Sequence, residues 1–117
     1  MVCQGRLISL IALVGSPWEL WGRAASDCHG DVAEMHIDLD IYHCVAGTTY
    51  NCRPGAYATH TQSCSREGPG TLDCDGWGEL VETGWYMVVA QFVNIDTWGR
   101  VESFEREATR GWYRGVP

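Results

Sequence analysis

The chain of 117 residues has no lysine. All eight of its basic residues are arginines, set against fifteen acidic residues, and the formal net charge is −7. Binding to nucleic acid needs clustered cations that displace counterions from phosphates, so this balance argues against it. It suits a partner that carries a basic patch. No Cys-x-x-Cys pair occurs, and the four histidines are not at zinc-finger spacing, which argues against a structural zinc site. No apolar stretch is long enough to cross a bilayer as a helix. No internal repeat and no low-complexity tract is present.

Six cysteines are present in a chain long enough for one domain at most. A small domain buries a modest fraction of its surface, so cross-links help it fold. The cysteines therefore point to a disulfide framework and an oxidising compartment.

Residues 1–26 read as an export signal. Arg6 supplies a short positive region, Leu7 to Gly15 an apolar run, and Ala24-Ala25-Ser26 small residues for a peptidase. Residues 27–117 then form a single domain, and Cys3 is lost with the leader.

Residues 33–44 alternate. Met35, Ile37, Leu39 and Ile41 point one way, and His36, Asp38, Asp40 and Tyr42 the other, which is the pattern of a half-buried strand. Residues 45–75 are dense in Gly, Pro, Asn, Thr and Ser, and read as loop with short strands. Residues 79–95 are rich in β-branched and aromatic side chains, so they read as a central strand that is apolar on both faces. Asp96-Thr97-Trp98-Gly99 ends that strand. Residues 100–117 read as a further strand or a short charged helix, followed by a tail. The expected fold is an all-β, small disulfide-rich domain with long loops.

Several short motifs occur in a fixed order. They are Ile37-Asp38-x-x-Ile41-x-x-Cys44, Cys44-x-x-Gly47-x-x-x-Asn51-Cys52-x-Pro54-Gly55, Ala58-Thr59 leading to Ser63-Cys64, Asp73-Cys74-x-Gly76-Trp77, Gly78-Glu79-Leu80 and Phe92-x-Asn94-x-x-x-Trp98. In this order and spacing, residues 28–99 resemble the light (small) chain of the methylamine and aromatic amine dehydrogenases. Cys28, Cys44 and Cys64 resemble family half-cystines whose partners are absent here, whereas two of the family's disulfides are missing at both ends. Asp75 and Gly99 stand at the two ends of one such bond. Tyr42 stands at one end of another, whose partner near the C-terminus is also absent.

The resemblance implies a periplasmic or secreted small subunit of an amine dehydrogenase. Such a subunit works with a large β-propeller-type subunit and passes electrons to a small copper protein. Its cofactor is tryptophan tryptophylquinone, made from two of its own indoles. A small primary amine condenses with the quinone, an aspartate takes a proton from the substrate carbon, and aldehyde is released. Carried over by position, Trp98 is the cross-linked second tryptophan, Asp73 the proton acceptor, and Asp38 a second active-site aspartate. These groups and the His60 loop should surround one pocket. His60 stands where the family has the quinone-forming tryptophan, and no tryptophan lies between Cys52 and Cys64.

That departure leaves an alternative, a non-catalytic exported binding or structural module. A third reading is an unrelated secreted domain, or a metal site that uses His36, Asp38, Asp40 or His43. The resemblance also implies a Cys52–Cys74 disulfide. Its loop of about 22 residues stabilises by roughly 3 kcal/mol in the chain-entropy picture. Of the remaining half-cystines, Cys28 is expected to pair with Cys64, or else with Cys44.

Overall fold

The structure is a computed structural model. It describes residues 1–13, 19–43, 57–79, 83–107 and 111–113, with side chains at all of these except 8–13, 57–59, 79, 105–107 and 111–113. Among the described residues eight strands follow one another: β1 (Val2–Leu13), β2 (Glu19–His29), β3 (Val32–His43), β4 (Tyr57–Glu67), β5 (Gly70–Glu79), β6 (Gly84–Asp96), β7 (Val101–Glu107) and β8 (Gly111–Tyr113). No helix occurs among the described residues, so none is long and apolar enough to cross a membrane. The all-β expectation holds.

The strands form two antiparallel sheets. One has the order β1-β2-β5; the other has β4-β3-β6-β7, with β8 also on β6. The two sheets pack face to face. Leu20, Ala24, Cys28, Leu72 and Cys74 from the first meet Met35, Ile37, Leu39, Ile41, Tyr86, Val88, Ala90 and Phe92 from the second in one core. The period-two pattern of β3 dictates this, because its apolar residues all fall on the buried side. β6 lies inside its sheet and is apolar on both faces, as its composition implies. Met87 and Val89, on the side away from the main core, are buried with Tyr42 and Trp85 packed on them.

Small residues let the sheets approach. A Cβ at Gly22 would stand 3.0 Å from Val88, and one at Gly76 would stand 3.1 Å from Leu39. Val101–Glu107 is strand rather than helix, because β7 completes the edge of β6 from Ile95 to Val89.

Three sequence expectations need correction or placement. Of residues 45–75, expected to be loop with short strands, 57–67 and 70–75 belong to two long strands, and 45–56 lie outside the described residues. Gly68-Pro69 is the turn between them, but β4 and β5 enter different sheets. The hairpin is thus splayed across the sandwich, and β4, an edge strand with mostly polar residues, carries little hydrophobic signal.

The disulfides also differ from expectation. Cys74 is bonded to Cys64, so it is not the partner of Cys52, and Cys28 is bonded to Cys3, not to Cys64. The register gives the reason. Cys3 sits directly opposite Cys28 on the paired strands β1 and β2. Cys64 and Cys74 sit on the two arms of the splayed hairpin with their Cα atoms 5.7 Å apart, inside the range a disulfide spans. Cys44 and Cys52, with Gly47, Asn51 and Pro54-Gly55, lie outside the described residues.

Residues 1–26, read as an export signal, supply β1 and most of β2 in this structure. Ala24, Ala25 and Ser26, the expected peptidase site, are fully buried in β2.

Candidate functional site

The four residues singled out for quinone chemistry are each placed by their strand. Asp38 projects from the outer face of the five-stranded sheet. It is exposed, and Ser63 on β4 donates a hydrogen bond to its Oδ1 at 2.7 Å. Asp73 is exposed on the outer face of the other sheet, opposite Ala25. The two carboxylates are therefore separated by the whole sandwich.

Trp98 lies in the β6–β7 turn and is 77% exposed. His60 is half-buried, with its ring against the backbone of Gly78 and 6.4 Å from the ring of Trp77. His60 is level with Ile41 on β3, whereas the Trp98 turn adjoins Asp31 beside Val32, which pairs with Asp96. Nine residues of extended strand separate those two levels, or about 30 Å at roughly 3.3 Å per residue. The structure does not bring Asp38, Asp73, His60 and Trp98 around one pocket.

The His36–Asp40 face fares similarly as a metal site. His36 Nε2 lies 3.1 Å from Glu34 Oε2, and Asp38 is engaged by Ser63. His43, from the same candidate set, points to the opposite side of β3 and is buried against Tyr86. Among the described residues no group of three or more His, Cys, Asp or Glu side chains is placed to hold a metal ion.

Two other clusters are assembled. On the outer face of the three-stranded sheet, Trp21 and Trp77 are direct cross-strand partners, with ring centroids 5.7 Å apart and planes within 18°. The Trp21 indole N–H donates to Glu19 at 2.7 Å. Next along the strands, Arg23 binds Asp75 through two nitrogens, at 2.6 and 3.2 Å. That hydrogen-bonded pairing outweighs partial burial and holds the Asp75 carboxyl below its ordinary range. Further along, Thr71 and Arg6 both donate to Asp27 and lower its carboxyl too, with Thr71 the larger influence. Trp21 escaped the sequence reading because it lay within the segment assigned to export.

The second cluster is the turn that carries Trp98. Asp96 is enclosed, with a side chain 6% exposed. Its Oδ1 accepts the backbone N–H groups of Trp98 and Arg100, each at 2.9 Å, and its Oδ2 meets the Arg100 guanidinium at 2.8 Å. Burial opposes the charge on Asp96, but the two amides and the arginine prevail and keep its carboxyl below the usual value. Gly99, at φ 86°, closes the turn in the left-handed region that glycine adopts without strain. An exposed indole is thus held on a rigid, fully bonded turn. The sequence signalled the turn, but not that its tryptophan would face solvent. No family model and no curated protein matches the chain.

Proposed function

We propose that this protein is a non-catalytic, disulfide-stapled β-sandwich that acts by binding, in the periplasm or outside the cell. The observation that carries this reading is the separation of Asp38 from Asp73 on opposite outer faces, with Trp98 and His60 about 30 Å apart along the strands. Covalent catalysis with a general base requires the reacting groups within hydrogen-bond reach of one substrate atom. The amine dehydrogenase chemistry implied by the short motifs needs the same groups around a cross-linked tryptophan pair, and His60 supplies no indole for it. The Cys3–Cys28 and Cys64–Cys74 disulfides support an oxidising compartment.

The test is an intact mass with a visible absorption spectrum. The expected mass is that of the sequence less two hydrogens per disulfide, with no added oxygen and no quinone band. Added oxygen together with a quinone band would restore the amine dehydrogenase reading. The same mass reports on residues 1–26. Their removal would take away β1, most of β2 and one half of the Cys3–Cys28 bond.

A further inference from the structure

The outer face of the five-stranded sheet is divided lengthwise. Along β6 the outward side chains are Trp85, Met87, Val89, Gln91, Val93 and Ile95, apolar except for one. At one end the chain covers this strip itself, and Met87 is fully buried. At the other end it does not. Val93 and Ile95 are half-buried, Val101, paired with Ile95, is 62% exposed, and Trp98 stands beyond them on its rigid turn. Along the neighbouring strands the outward residues include Glu34 and Asp38 on β3 and Glu67 on β4, with His36 beside Glu34 and Ser63 on Asp38. Among the arginines whose side chains are described, none pairs with Glu34, Asp38 or Glu67. Arg66 reaches the carbonyls of Pro69 and Thr71, and Arg100 is paired with Asp96. The other sheet is different, since there Arg6 and Arg23 neutralise Asp27 and Asp75.

An apolar strip that is covered at one end and open at the other, beside charges of one sign, has the character of an interaction surface. A tryptophan whose backbone is already hydrogen-bonded in a turn has only two side-chain torsions to fix on binding, and tryptophans are enriched among the residues that dominate interface energetics. The charge fixes the kind of partner, because acidic rows steer and orient a basic one.

We infer that this face, anchored on Trp98 and flanked by Glu34, Asp38 and Glu67, docks a basic polypeptide. That polypeptide presents arginines or lysines beside apolar side chains. The inference rests on the binding-module reading and deepens it.

The probe is a synthetic peptide that alternates arginine with leucine, compared with its glutamate–leucine counterpart. Binding to the full chain is followed by tryptophan fluorescence and by amide chemical shifts. The arginine peptide should shift the amides of Asp38, Val93, Ile95, Trp98 and Val101. Its affinity should fall as salt screens the acidic rows. Trp98→Ala should weaken it by roughly tenfold or more. Glu34→Gln with Asp38→Asn should weaken it and flatten the salt dependence. All three side chains are exposed, so neither variant should lower the thermal midpoint appreciably.

Four outcomes overturn the inference: no binding, equal binding of the glutamate peptide, shifts mapped to the Trp21–Trp77 face, or unchanged affinity in Trp98→Ala. Each of these leaves an unmodified intact mass, and with it the non-catalytic reading, in place. A quinone-bearing mass would remove that reading whatever the peptide does.

Discussion

Cys64 on β4 and Cys74 on β5 are bonded across the gap between the two sheets, with Cα atoms 5.7 Å apart and a separation of ten positions along the chain. The bond closes a hairpin whose arms have parted into different sheets. It therefore pins the sandwich at the point where the β4 edge would otherwise lift away. Replacing both residues by alanine should cost about 3 kcal/mol by the loop-closure relation. Denaturant unfolding under non-reducing conditions measures this, and peptide mapping of the same sample should recover Cys64 joined to Cys74 and Cys3 joined to Cys28.

Gly5 in β1 lies under two aromatic rings. A Cβ there would stand 2.6 Å from Phe104 and 2.9 Å from Phe92, rings that are themselves stacked at 4.9 Å. Gly5→Val should destabilise the fold by about 1–3 kcal/mol through overpacking. A chain processed after Ser26 has no residue 5, so in that case the substitution would leave the mature protein's stability unchanged. Thermal unfolding with N-terminal sequencing separates the two outcomes.

Asn94 is fully buried on the core side of β6, and neither its Oδ1 nor its Nδ2 has a hydrogen-bond partner among the described residues. A buried amide without partners costs free energy that an apolar side chain of similar shape does not. Asn94→Leu should therefore raise stability by about 1 kcal/mol. A lower midpoint in calorimetry would show that the amide is satisfied.

Three carboxylates link stability to pH. Asp27, Asp75 and Asp96 each have a folded-state value below the ordinary 3.8. Each therefore binds its proton more readily in the unfolded chain. Their contribution is complete above that ordinary value and is lost as pH falls through the lower folded values. Unfolding midpoints should stay level through mildly acidic pH and drop below about pH 4. Asp96→Asn removes the carboxylate that holds the Trp98 turn, so it should lower the midpoint at neutral pH and make the acid decline shallower.

The candidate site was less legible in the sequence than the strands that carry it. Asp38 and Asp73 each lie beside a residue that anchors the core, Ile37 and Cys74. Their local environments look alike in one dimension, yet they end on opposite faces of the sandwich. Tryptophan is more often enclosed than not, and neither Trp77 nor Trp98 follows that tendency. The first lies half out of the sheet face at 47% exposure, and the second points into solvent. The Trp21–Trp77 stack was hidden for a simpler reason: an apolar run after a single arginine reads equally well as a leader or as the start of an edge strand.

The sequence by itself determined the all-β class, the buried side of β3, the two-faced apolar character of β6, the break at Asp96–Gly99 and the need for disulfides. All but the last are set by side-chain period, β propensity or turn chemistry along the chain, and the last follows from chain length and the six cysteines. Only the tertiary structure decided that β4 and β5 part into different sheets, that Cys74 meets Cys64 while Cys28 meets Cys3, and that Asp38 and Asp73 never share a pocket. The physical reason is that residue parity along a strand fixes which side a residue faces. It does not fix which sheet the strand joins or what lies across the gap, and long-range packing alone sets those.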